Sequence, residues 1–139
     1  MSDPKSEFEA HLSNDKAVCV AAHGQVLPLC SDRCPAPRVM LPGSFNPVHE
    51  AHWQLAQVAE SILGAPVAFE LSVVNVDKSP LTVDEIRLRL APFQWQASVW
   101  VTAAPRFVNK AALFPGATFV IGADTALRIV SSRYYGDDV

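Results

Sequence analysis

Apolar residues in this chain come in short runs that alternate with stretches of helical spacing. Val39, Met40 and Leu41 form one run. Beyond a Gly43-Ser44 bend, Trp53, Leu55, Ala56, Val58, Ala59, Ile62 and Leu63 recur every three or four positions. That change of period predicts a strand over 38–41 and a helix over about 49–63, closed by Gly64 and Pro66. The alternation continues with strands over 67–74, 98–103 and 118–121, and helices over 82–90, 106–113 and 124–130. Thr82 and Glu85 have the spacing of a capping box, and Pro115-Gly116 reads as a turn.

The first 37 residues follow a different pattern. Residues 2–16 are polar, with a short helix expected around 8–12. Residues 17–22 and 26–29 read as two strands of a hairpin around His23-Gly24-Gln25. Pro28 confines the second strand to a sheet edge, because it lacks an N–H for a further ladder. Pro35 and Pro37 mark a break. Residues 1–37 are therefore expected to be an N-terminal appendage of unknown role, and 38–139 the main domain.

Alternating strands and helices with near-continuous apolar strands imply an α/β fold, its parallel sheet covered on both faces. Right-handed crossovers then give a Rossmann-like doubly wound sheet, whose ligands lie beyond the C-terminal ends of the strands, where the strand order reverses. Three segments should meet there: residues 43–49, the loop 75–81, and Gly122-Ala123-Asp124.

Composition narrows the partners. The chain has 139 residues, half of them hydrophobic, and a formal net charge of −3 without a basic block. That argues for a packed core and against nucleic acid or an acidic membrane as the main partner. No apolar run approaches the roughly 20 residues of a membrane helix, and the polar N-terminus lacks a signal-peptide core. The expectation is a cytoplasmic protein. Three cysteines do not make a disulfide framework. Cys19, His23, Cys30 and Cys34 do not follow a common zinc-finger spacing, so reduced thiols and no metal are expected.

The chemistry concentrates in Gly43-Ser44-Phe45-Asn46-Pro47-Val48-His49-Glu50-Ala51-His52. A strand-to-helix junction presents free backbone N–H groups and the positive end of the helix dipole to an anion, and imidazoles there can add hydrogen bonds to phosphate. The plainer alternative is a turn shaped by Gly43 and Pro47, with Asn46 as helix cap.

This segment resembles the G-[ST]-F-[ND]-P-x-H-x-x-H signature of the nucleotidylyltransferase superfamily, most of all the nicotinamide/nicotinate mononucleotide adenylyltransferases. Gly43, Ser44, Phe45, Asn46, Pro47, His49 and His52 match it position by position, while Ala51 replaces the usual glycine. The resemblance implies that these residues cradle the triphosphate of ATP, with His49 and His52 as catalytic groups. Residues 119–125 resemble the family's second motif, an apolar strand ending in G-x-D. By that likeness Gly122 lets the ligand approach and Asp124 accepts from sugar hydroxyls. The resemblance also implies phosphate contacts from Lys78 and from Arg87. Plainer alternatives make Lys78 a solvated lysine, pair Arg87 with Asp84, and make Asp124 a helix cap. Arg89 is expected on another face, solvated.

Two departures bear on function. Residues 105–111 lack the threonines with which the family holds its pyridine nucleotide. The family's later Ile-Ser-Ser/Ala-Thr-x-x-Arg phosphate segment has no counterpart, so the likeness covers about residues 38–135, a domain expected to be incomplete at its C-terminus. Uncovered apolar strand edges would then favour association of copies. The implied activity is adenylyl transfer from ATP, with Mg2+, to a phosphate-bearing acceptor such as nicotinate or nicotinamide mononucleotide, releasing pyrophosphate. Cytidylyl- or pantetheine-phosphate-type transfer, or nucleotide binding without catalysis, are the alternatives.

Overall fold

A computed structural model of the chain describes residues 12, 16–22, 26–28, 37–74 and 79–129. Its elements are β1 (Ala17–Val20), β2 (Val26–Pro28), β3 (Val39–Gly43), α1 (Glu50–Leu63), β4 (Val67–Ser72), α2 (Val83–Leu90), a 3-10 turn (Ala91–Phe93), β5 (Val99–Thr102), α3 (Phe107–Leu113), β6 (Thr118–Phe119) and α4 (Ala123–Ile129).

One six-stranded sheet runs β2-β1-β5-β4-β3-β6. The four strands β5, β4, β3 and β6 are mutually parallel. β1 lies antiparallel to both β2 and β5. The fold is mixed α/β, and the sheet expected to be parallel is corrected to a mixed one. The reason is the hairpin. Its short connection requires antiparallel neighbours, and it packs against the outer edge of β5. The Lys16 carbonyl accepts from Ala103 N–H at 2.9 Å, and Ala22 O from Trp95 N–H at 2.6 Å, so both ends of β1 are tied to the segments flanking β5. The strands Ala17–Val20 and Val26–Pro28 thus share a sheet with the rest. As Pro28 requires, β2 is an edge strand.

Alternation along the strands sorts the core. Val39, Leu41, Phe69, Leu71, Val99 and Val101 meet Ala56 and Ala59 of α1, Ile86 of α2, and Phe93. Met40 and Trp100, together with Ala17 and Cys19, meet Phe114 just after α3. The helices α1 and α2 therefore cover one face and α3 serves the other. The wide apolar stripe expected on α1 is narrower in fact. Small Ala56 and Ala59 are buried, while Val58 and Ile62 face solvent.

The helix ends follow their sequence signals. Thr82 Oγ1 accepts from Glu85 N–H and Glu85 Oε1 from Thr82 N–H, each at 3.2 Å. Gly64, at φ 66°, ends α1 in the left-handed conformation that glycine adopts without a Cβ clash. Glu60 then reaches out of the last turn to accept Val67 N–H at 3.0 Å, fixing the start of β4. Among the described residues no helix is long and apolar enough to cross a membrane.

Candidate functional site

The signature segment begins where β3 ends. Its shape is set by Phe45, which has φ 45° and folds its ring back over Gly43. A Cβ on Gly43 would lie 2.7 Å from Phe45 Cε1, so only glycine fits beneath the ring. The ring is 1% exposed and meets Phe69, Phe93 and His52 edge-on, at centroid distances of 5.7, 5.1 and 5.1 Å. Such aromatic contacts anchor the loop in the core. Phe45, implied to bind nucleotide, therefore has only its backbone to offer a ligand. Asn46 and Pro47 are exposed, joined by a cis peptide, and Val48 turns back inward.

His49, rather than Asn46, caps α1, and His52 is the third residue of the helix. Both imidazoles spend Nδ1 on the backbone. His49 Nδ1 accepts from Ala51 N–H at 3.3 Å, and His52 Nδ1 accepts from His49 N–H at 3.0 Å. A nitrogen that accepts carries no proton, so the neutral ring carries it on Nε2. Each histidine thus keeps an Nε2–H donor. The rings lie 4.1 Å apart at the helix N-terminus. Burial first, and then the neighbouring His49, lower the pKa of His52 below its ordinary 6.5. Without a bound anion the neutral form of His52 is favoured.

The loop's neighbours are β6 and α2. β6 pairs with the first half of β3, through Thr118 N–H to Arg38 O and Val120 N–H to Met40 O, both at 2.8 Å. Beyond Met40, β3 continues to Gly43 beside β4, while the chain after Val120 turns into α4. The strands separate there, with the signature loop following one and Gly122 the other. Gly122 is exposed just before α4. Asp124 falls in the first turn of α4, and its side chain lies outside the description, as does the whole of Lys78.

The expectation that Arg89 is solvated on another face is corrected. Arg89 Nη1 donates to Ser44 O at 3.2 Å, whereas Arg87 is exposed on α2. Residue 89 is the one whose long side chain crosses from the second turn of α2 to the loop. The sequence expectation missed this contact.

A second polar cluster was also missed. Glu70, in the middle of β4, is buried with Lys110 of α3. Lys110 Nζ donates to Glu70 Oε1 and Oε2 at 2.9 and 2.8 Å and to Ala104 O at 3.1 Å. Thr102 Oγ1 donates to Glu70 Oε2 at 2.6 Å. A single glutamate within an apolar strand was the available signal, since a buried carboxylate requires a partner. Trp100 is buried against Phe114, while Trp95 is 73% exposed.

Among the described residues no cluster of three His, Cys, Asp or Glu side chains is placed to hold a metal. Cys19 is buried; His23, Cys30 and Cys34 lie outside the described residues. Residues 43–52 contain one carboxylate, Glu50, and its Oε1 accepts from Gln54 Nε2 at 3.3 Å. That donor set suits Mg2+ only as a companion of a bound triphosphate, with phosphate and water as its main ligands. Comparison with family models, curated proteins and solved structures finds no match for this chain.

Proposed function

We propose that this chain is a nucleotidylyltransferase-type domain that binds ATP at residues 43–52 and transfers its adenylyl group to a phosphate-bearing acceptor, nicotinate or nicotinamide mononucleotide being the nearest model. The observation that carries this reading is the histidine pair. Two imidazoles stand at the start of a 14-residue helix with their inner nitrogens tied to the backbone and their outer N–H groups left for a ligand. Such donors, added to the helix dipole, suit a polyphosphate. The strand order supports it too. In β5-β4-β3-β6 the chain winds one way from β3 to β5 and then crosses to the far side of β3, with α1 and α2 on one face and α3 on the other. We read this order as a doubly wound, Rossmann-like arrangement with its switch point in the crevice between β3 and β6.

The chemistry follows from alignment. An acceptor phosphate oxygen attacks the α-phosphorus of ATP in line. The bond from that phosphorus to the bridging oxygen breaks, and pyrophosphate leaves with the electron pair. The attacking oxygen is already anionic, so no protein nucleophile or base is required. His49 and His52 hold the phosphate oxygens that gain charge and restrict the approach geometry. Mg2+ bound to the triphosphate supplies further charge neutralisation.

The test is pyrophosphate release from ATP and Mg2+ with a panel of pyridine mononucleotides and phosphopantetheine. His52→Glu is the informative variant, because a glutamate at the third helical position still accepts the cap N–H but removes the donor and repels phosphate. Turnover is expected to fall at least about a hundredfold, with the unfolding temperature preserved. Turnover near that of the wild type in His52→Glu, or no release with any acceptor, would falsify the reading.

A further inference from the structure

We propose that Arg89 is a positioning residue for the anion loop, acting through the backbone of Ser44. This rests on the proposed anion-binding role of that loop. Arg89 Nη1 holds the Ser44 carbonyl at 3.2 Å across 45 positions of sequence. A peptide is planar, with its C=O and N–H pointing opposite ways. Fixing the Ser44 carbonyl on the α2 side therefore turns the Phe45 N–H away from α2. Among the described residues that N–H has no protein acceptor. Phe45 itself sits at φ 45°, a region that residues with a Cβ occupy at some cost. Its ring is locked by Phe69, Phe93 and His52, so the side chain cannot move to relieve the backbone. Rotation of the Ser44–Phe45 peptide is the remaining freedom, and Arg89 opposes it.

Neighbouring charge supports the placement. Arg89 lies one turn after Glu85, whose carboxylate accepts the Thr82 N–H at 3.2 Å. Hydrogen bonds from Thr82 are the main cause that favours the ionised form of Glu85, and Arg89 adds a smaller one. The observed partner of the guanidinium is the Ser44 carbonyl.

Two readouts on the full chain separate this role from the anion reading. The first is the amide spectrum of isotope-labelled protein without ligand. Arg89→Gln should move or broaden the amide signals of Ser44, Phe45 and Asn46, Arg89→Lys should largely restore them, and Arg87→Gln should leave them in place. The second is calorimetric titration with pyrophosphate and Mg2+. Arg89→Gln should bind about fivefold to tenfold more weakly, the worth of roughly one oriented hydrogen bond, at an unchanged unfolding temperature, and Arg89→Lys should recover most of the loss. Unmoved loop amides in Arg89→Gln overturn the positioning role. So does wild-type pyrophosphate affinity in Arg89→Gln when His52→Glu has lost binding. If the wild type itself does not bind pyrophosphate, it is the anion reading of the loop that fails, even where the amide shifts still tie Arg89 to Ser44.

Discussion

Toward the C-terminal ends of β4 and β5 a carboxylate and an ammonium are shut away from water, while at the end of β3 two imidazoles are left partly in it. The Glu70 and Lys110 side chains are 1% and 7% exposed. Every polar atom of the first cluster is answered inside the protein: both Glu70 oxygens, the Lys110 ammonium and the Thr102 hydroxyl. The histidine pair is answered only on its inner side, through the two Nδ1 atoms. A closed network fixes structure, since it has no donor to give away. A half-closed one at a helix start has donors in place before the ligand arrives. The difference lies in satisfaction rather than in residue type: a carboxylate and an ammonium form the closed cluster, two imidazoles the open one.

The largest expected effect comes from opening the closed cluster. Lys110→Met leaves Glu70 buried without its counter-charge and should cost about 3–5 kcal/mol of stability, read as a drop in the urea midpoint. Adding Glu70→Leu should recover most of that loss, because two apolar side chains can replace a buried ion pair at little cost. Pyrophosphate affinity of the folded double variant should match the wild type. A single variant as stable as the wild type would mean that the pair is not closed to water, and the contrast between the two clusters would disappear.

Next in size is Gly43→Ala, which attacks the open cluster from below. The new methyl would fall 2.7 and 2.8 Å from Phe45 Cε1 and Cζ, and that ring is pinned in the core. Overpacking of this kind costs about 1–3 kcal/mol, and the loop carried by Phe45 should lose pyrophosphate affinity along with stability. Serine at the same position should do the same. If either variant binds like the wild type, the loop does not depend on the Phe45 anchor.

These contrasts also explain what could be read from the chain alone. The strands Val39–Gly43, Val67–Ser72 and Val99–Thr102 and the helices Glu50–Leu63 and Val83–Leu90 stand close to where periodicity and caps put them. Apolar runs, Gly64 and the Thr82–Glu85 pair are local signals. The histidine loop was legible for the same reason, being one contiguous stretch. What was hidden is set by tertiary neighbours. The hairpin's place beside β5 depends on sheet order, which no local period encodes. Phe45 looked like a ligand contact because its motif is contiguous, yet its ring belongs to an aromatic cluster drawn from β4 and the turn after α2. Arg89 and Arg87 differ only in the direction each side chain takes from a short helix. Glu70 meets Lys110 across 40 positions, and nothing near either residue names the other.

The smallest effect, and the one that touches the histidine pair most directly, is its pH dependence. Burial and the adjacent His49 lower the pKa of His52 in the folded chain below 6.5. The unfolded chain therefore takes up a proton at this residue before the folded chain does, and stability rises with pH wherever the unfolded state holds more protons. The contribution of His52 is thus fully present above 6.5 and is lost as pH falls from there through the lower folded-state value. His52→Gln keeps an acceptor for the His49 N–H and cannot titrate. Urea midpoints measured across about pH 7 to 5 should fall more steeply for the wild type than for this variant. Saturating pyrophosphate should reduce the difference, because a bound anion favours the protonated ring and offsets the desolvation that depressed it. Parallel curves for the two proteins would mean that His52 is as solvated in the fold as out of it. The open cluster would then lack the inner anchoring that sets it apart from an exposed pair of histidines.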